Sequence, residues 1–183
     1  MHAQAHAADA ADPNVAAKFI IMNIEPLTEK HWPEVKAIYL SGVATGNANF
    51  SFAEPEWASW DKAHVSNCRF VITENNKVLG WAALTAIHDQ CVFAGVAEVS
   101  IYIAEQARGK GIGKQLLRTL IDESEKNNFW TLEARIFPEN IASIKIHEEN
   151  GFRIIGSRER IGQLKGVWRD TLLLERRSIK VGI

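Results

Sequence analysis

The segment "AEVSIYIAEQARGKGIGKQLL", Ala97 to Leu117, sets the reading of the whole chain. Its first half alternates. Val99, Ile101 and Ile103 fall on one side of an extended strand, and Glu98, Ser100 and Tyr102 fall on the other. Its second half places glycines at 109, 111 and 113 among Arg108, Lys110 and Lys114. It then opens into a helical stripe of Ile112, Leu116, Leu117, Leu120 and Ile121. A strand that ends in a glycine-rich turn and starts a helix presents unpaired N–H groups at the positive end of a helix dipole. That is an anion site suited to phosphate. The three basic side chains strengthen it, and the glycines let a ligand approach the backbone without a Cβ in the way.

Two common phosphate motifs do not fit. The GxxxxGK[ST] loop fails because Gln115 follows Gly113-Lys114, and the dinucleotide pattern GxGxxG fails because Leu116 stands where its third glycine belongs. What remains is R-x-x-G-x-G, Arg108 to Gly113.

Working outward, "KFIIMNIEP" reads as a first strand, and Thr28 caps a helix to about Thr45 with Trp32, Val35, Ile38 and Tyr39 at helical spacing. "TGNANFSF" is a loop, and Pro55-Glu56 starts a second helix carrying Trp57, Trp60 and Val65. "RFVITE" and "KVLGWAALTAI" are strands joined by a turn at Asn75-Asn76. After the quoted segment come a strand, "FWTLEARIF", a helix, "ENIASIKIHEEN", stopped by Gly151, and two last strands, "FRIIGSRERIG" and "VWRDTLLLERR". The order β-α-α-β-β-β-α-β-α-β-β predicts a mixed α/β (α+β) layer fold. The Ala-rich opening residues 1–18 read as a loosely ordered extension, a poor signal peptide, with the domain spanning 19–183.

Composition narrows the function. With 21 Lys and Arg against 22 Asp and Glu, a net charge of −1, the chain has no basic excess for holding nucleic acid. No apolar run reaches the ~18 residues of a membrane span. Cys68 and Cys91 are too few and too far apart for a disulfide framework or a zinc site, so two buried free thiols, no metal and a cytoplasmic location are expected.

The R-x-x-G-x-G turn between a strand and a helix, together with "PENIASIKIHEENGF", resembles the GNAT superfamily of N-acetyltransferases. "ATGNANF", "AEVSIYI" and "GVWRD" make the chain most similar to the phosphinothricin and methionine sulfoximine branch of that superfamily. The resemblance covers roughly residues 24–175. It implies a single domain, with a mixed central sheet of about six to seven strands flanked by about four helices. It also implies acetyl-CoA as co-substrate, held by Ile101, Tyr102, Ile103, the turn Arg108, Gly109, Lys110, Gly111, Ile112, Gly113 and Lys114, and Asn140. By the same resemblance Glu98 is the general base and a backbone N–H at or near Ile101 stabilises the oxyanion. His147 stands where many members carry a tyrosine general acid, and Asn140 and His147, two helical turns apart, share a face. The acceptor pocket implied comprises Phe50, His88, Glu98, Val99, Ser100 and Trp168. His88 and Asp89 replace the stronger base expected there, and Phe52, Phe93 and Arg169 are further candidates. Arg158-Glu159 and Glu175-Arg176 read as solvated strand faces.

Two functions suit this set. One is acetyl transfer to the α-amine of a small amino acid or analogue of the methionine sulfoximine, methionine sulfone or phosphinothricin type, in a detoxifying homodimer. A different amine or a protein N-terminus is a variant of that reading. The other is a non-catalytic acyl-CoA sensor, which needs the turn and Asn140 but not Glu98 and His147.

Overall fold

The computed structural model describes residues 22–51, 53–87 and 90–183. The expected domain start near Phe19, the extension before it, Phe52, His88 and Asp89 lie outside the described residues.

Seven strands form one sheet: β1 Met22–Pro26, β2 Arg69–Glu74, β3 Lys77–Ala86, β4 Val96–Ile103, β5 Thr131–Ile136, β6 Arg153–Leu164 and β7 Val167–Arg177. Four helices join them: α1 Trp32–Ala44, α2 Trp57–Ala63, α3 Ile112–Lys126 and α4 Ile141–Glu148. The sheet order is β1-β2-β3-β4-β5-β7-β6. Neighbours run antiparallel except β4 and β5, which are parallel. The predicted element order and the mixed sheet are what the chain adopts.

Local chemistry explains most boundaries. Asn75 and Asn76 both take positive φ, 51° and 63°, which matches a tight hairpin to the right-handed twist of β2 and β3. Thr28 starts a single 3₁₀ turn before α1 rather than capping α1 itself, because Pro33 sits in the first turn of the helix proper. The stripe of α3 is buried as expected, with Leu116, Leu117 and Leu120 fully inaccessible. It packs with Ala82, Leu84, Leu132 and Leu174 into one continuous core. No helix of the described residues is long and apolar enough to cross a membrane.

Two expectations change. Cys68 is buried, with burial pushing its thiol up to about 11, but Cys91 is exposed, in a single 3₁₀ turn before β4. Arg176 is not a solvated strand charge: it reaches into the core edge and pairs with the buried Glu125 at 3.0 Å. Lys180 and the Ser178 hydroxyl hold the same carboxylate at 2.8 and 3.0 Å, tying the residues after β7 to the end of α3. A charge removed from water to this degree is retained only with such partners.

Candidate active site

The site is created by a parting of the sheet. β4 stays paired to β3 from Ala97 to Ile103, whereas its pairing with β5 ends at Glu98↔Glu133. β5 follows β7 as far as Ile136↔Leu172. Beyond Glu98 the two halves diverge, and a cleft of about 840 Å³ opens between them.

The divergence strands a row of backbone groups. The amide of Ala104 donates to the Leu79 carbonyl of β3 at 2.9 Å. By strand alternation, Tyr102 and Ser100 also direct their backbone groups to β3. The Val99 amide closes the last parallel pair on Glu133, and the backbone groups of Ile101 and Ile103 beyond it face the cleft with no β5 partner opposite. This edge can donate to and accept from an extended amide-bearing ligand.

At one end lies the glycine turn. Gly109 and Gly111 have φ of +75° and +76°, and space is open where a Cβ would stand at either. Gly111 is the N-cap of α3 and no side chain caps the helix. The first amide to close an intrahelical bond is that of Gln115, on the Gly111 carbonyl. Hence the amides of Ile112, Gly113 and Lys114 are left at the positive helix end. Gly113 lines the cleft and is also held small by packing, since a Cβ there would lie 3.2 Å from Ile146 Cδ1 of α4. Arg108 and Lys114 line the cleft, with Lys114 bridged to Glu149 at 2.9 Å, while Lys110 is exposed and does not line it. The cradle and the open amide edge fit the pyrophosphate and pantetheine arm of coenzyme A.

α4 supplies the far wall. Asn140 caps it, its Oδ1 accepting from the Ser143 amide at 3.2 Å. Its Nδ2 donates to the Asn47 carbonyl at 3.1 Å, so the side chain is spent on protein contacts as it lines the cleft. His147 lies in the last turn, 1% exposed, edge-on to Phe152. Its Nδ1 is 2.8 Å from the Ser143 carbonyl, and a carbonyl only accepts, so the proton sits on Nδ1. Burial pushes the imidazole below its ordinary value, against the smaller opposing effect of that hydrogen bond. Nε2 is then an unprotonated lone pair, and among the described residues it has no partner.

Glu98 stands at the fork, its side chain 22% exposed. Arg135 of β5 grips it with two nitrogens: Nε donates to Oε1 at 2.7 Å and Nη2 donates to Oε2. Arg135 lines the cleft as well, a role the sequence did not suggest. Ser100 and Tyr102 follow Glu98 on the same face. The Tyr102 ring stacks on Trp81 with centroids 4.8 Å apart, and its hydroxyl accepts from Asn49 Nδ2 at 2.8 Å. Burial first, and then the neighbouring Tyr39, push the phenol well above its usual range, so it stays protonated and keeps its own O–H to donate.

The other acceptor candidates separate. Val99 and Ser100 line the cleft. Phe50 does not: it packs edge-on against Phe137 at 4.9 Å and fills the space beside Gly162. Trp168 is more than half exposed on β7, away from the cleft, because the β6–β7 hairpin extends past the body of the sheet. Arg169 is committed elsewhere, donating to the Gly46 carbonyl at 3.0 Å and to Glu139 at 3.0 Å, with its guanidinium over the Phe137 ring. Phe93 is exposed, and His88 is outside the described residues. Among the described residues no group of three or more His, Cys, Asp or Glu side chains is placed to hold a metal ion.

Comparison with known proteins places this geometry. Residues 32–152 match the Acetyltransferase (GNAT) family. The chain is 33% identical over 150 residues to the phosphinothricin N-acetyltransferase of Alcaligenes faecalis, spanning 79% of this chain and 76% of that one. It is 30% identical over 149 residues to the L-methionine sulfoximine/L-methionine sulfone acetyltransferase of Pseudomonas paraeruginosa, spanning 78% and 87%. Among solved structures, a GNAT superfamily phosphinothricin acetyltransferase from Sinorhizobium meliloti in complex with acetyl-CoA superposes with a TM-score of 0.78 at 25% identity, over 88% of this chain and 90% of that one.

Proposed function

The chain belongs to the acetyltransferase (GNAT) family and is an N-acetyltransferase, and we propose that it acetylates the α-amine of a small amino acid or analogue of the methionine sulfone, methionine sulfoximine or phosphinothricin type, with Glu98 as general base. The observation that carries the proposal is the position of Glu98. It is the last β4 residue paired to β5, so its carboxylate lies at the point where the cleft begins.

Acetyl-CoA supplies a thioester carbon open to attack and a thiol that can leave. The residues of the chain supply the rest. The α3 N-terminus and Arg108 are suited to the pyrophosphate, and the Ile101–Ile103 edge to the amides of the arm. Glu98 accepts a proton from the acceptor ammonium, directly or through water. The Ile101 amide, turned into the cleft and free of the ladder, donates to the developing oxyanion, an arrangement worth roughly 3 kcal/mol. His147 acts here as a fixed hydrogen-bond acceptor and not as a general acid, because its one proton is committed to the Ser143 carbonyl. The cleft also offers the protonated Tyr102 hydroxyl.

The named substrates of the relatives from Alcaligenes faecalis and Pseudomonas paraeruginosa support the acceptor class, and with it a role in detoxification. A homodimer is part of the same proposal. The exposed Ile154, Ile161, Val167 and Trp168 on the β6–β7 hairpin give it an apolar surface, and sedimentation velocity tests it. The test of the activity is thiol release from acetyl-CoA with methionine sulfoximine, methionine sulfone, phosphinothricin, ordinary amino acids, polyamines and aminoglycosides. Turnover confined to amino-acid acceptors supports the reading. Tight CoA binding with no turnover on any amine replaces it with the acyl-CoA sensor.

A further inference from the structure

Three carboxylates stand abreast across the sheet, and the first of them, Glu98, lines the cleft. Thr85, Glu98, Glu133 and Glu175 are register partners across β3, β4, β5 and β7, so their side chains share one face of the sheet. Arg153 of β6 is opposite Glu175 and pairs with it at 2.7 Å. Arg135, two residues beyond Glu133 on β5, returns to the same face and takes Glu98. The row thus sets three acidic groups against two guanidiniums, and its cleft end combines the Glu98 carboxylate with the Arg135 guanidinium, both of which line the cleft. That is the charge pattern of a site for a zwitterion, with its ammonium toward Glu98 and its carboxylate toward Arg135.

The other cations of the cleft are less suited to this. Arg108 and Lys114 belong to the glycine turn, and Lys114 is already bridged to Glu149. Arg169 is held by the Gly46 carbonyl, Glu139 and the Phe137 ring. Arg135 alone touches Glu98 among the described residues, and half of its side chain remains open to solvent. Its planar fork matches a carboxylate through two parallel N–H donors.

We propose that Arg135 is the specificity-determining residue for the acceptor, receiving the acceptor's carboxylate in exchange for Glu98. One bidentate carboxylate replaces another, and the pair given up is partly exposed, so the exchange is close to neutral. Its consequence is selective. An amino acid draws the guanidinium away and leaves the Glu98 oxygens open to the amine. A simple amine has nothing to offer Arg135, and Glu98 stays covered. The inference rests on the reading of Glu98 as base and of an amino acid as acceptor.

The experiment compares methionine sulfone with 3-(methylsulfonyl)propylamine, the same molecule without its carboxylate, on the wild-type enzyme and on Arg135→Gln and Arg135→Lys. Wild type is expected to favour the amino acid in kcat/KM by about 10- to 100-fold, the worth of a charge-assisted pair. Arg135→Gln should bring that ratio near one chiefly by raising kcat/KM for the simple amine, whose Glu98 is then uncovered, and Arg135→Lys should restore part of it. Melting temperature and CoA affinity are measured on all three proteins. A variant that loses activity on both acceptors by the same factor overturns the proposal and makes the pair structural. Equal wild-type turnover of both acceptors also overturns it, while leaving the acetyltransferase reading intact. Turnover of neither, nor of any other amino acid, removes the proposed function and this inference together.

Discussion

Asn140 Nδ2 donates to the Asn47 carbonyl at 3.1 Å while Asn140 Oδ1 accepts from the Ser143 amide at 3.2 Å, so one side chain both caps α4 and ties down the loop after α1. Arg169 grips the same loop from β7 through Gly46 and Asn47. This wall of the cleft, which includes Asn47 and Asn140, is therefore held from two sides.

The two duties of Asn140 are separable. Asn140→Ala removes the cap, worth about 1 kcal/mol, and should lower the melting temperature by about 2–4 °C for a chain of this size. Asn140→Asp keeps the capping oxygen but sets an acceptor against the Asn47 carbonyl. It should melt close to wild type and show a raised acceptor KM. An acceptor KM at the wild-type value in both variants would show that the loop tie carries nothing, and equal melting temperatures of the two would show that the cap carries nothing.

Glu98→Gln keeps the shape and loses the base. Acetyl transfer should fall by about 10²- to 10⁴-fold in kcat, with CoA affinity measured by calorimetry unchanged, because the anion cradle is at the other end of the cleft. A variant that keeps wild-type kcat rules Glu98 out as the base.

Burial holds His147 below its ordinary value of 6.5, so the folded chain binds fewer protons there than the unfolded chain once the pH drops under that value. Stability then rises with pH across the window. It is fully present above about pH 6.5 and declines as the pH falls from there toward the folded pKa. His64, likewise lowered chiefly by burial, contributes in the same direction. His147→Leu should flatten part of the dependence of melting temperature on pH below about 6.5, leaving the His64 share. An unchanged slope would mean that the imidazole does not titrate as a buried group.

Gly111→Ala meets no neighbouring atom, but its φ of +76° is strained for any residue with a Cβ. A cost of about 1–2 kcal/mol follows from backbone strain alone. Since Gly111 opens α3 at the anion cradle, the KM for acetyl-CoA should rise several-fold while the acceptor KM stays put. Steady-state kinetics varying each substrate in turn separates the two.

Much of the fold is legible in neighbouring residues. The alternation of Val99, Ile101 and Ile103 against Glu98, Ser100 and Tyr102 survives in the sheet, and the apolar stripe of α3 is buried as its spacing requires. The glycine turn is legible for the same reason, because positive φ and an uncapped helix start are properties of a few consecutive residues. Arg135 was missed. In "TLEARI" it reads as an outward strand charge, and nothing local couples it to a carboxylate 37 residues earlier. The only hint was parity, which puts Glu133 and Arg135 on one face. Arg176 was misread likewise, since Glu125 lies 51 residues away on another element.

The sequence by itself determined the element order, the face each strand and helix presents, the anion cradle at Arg108–Gly113 and the family to which these belong, all through short-range periodicity and backbone chemistry. Tertiary structure decided the rest. The loss of β4–β5 pairing after Glu98, the grip of Arg135 on Glu98, the proton held on His147 Nδ1 and the removal of Phe50 and Trp168 from the cleft depend on which strands and helices become neighbours. Side-chain chemistry specifies what a residue can bind. The order of the sheet brings β5 beside β4, and so decides what Glu98 meets.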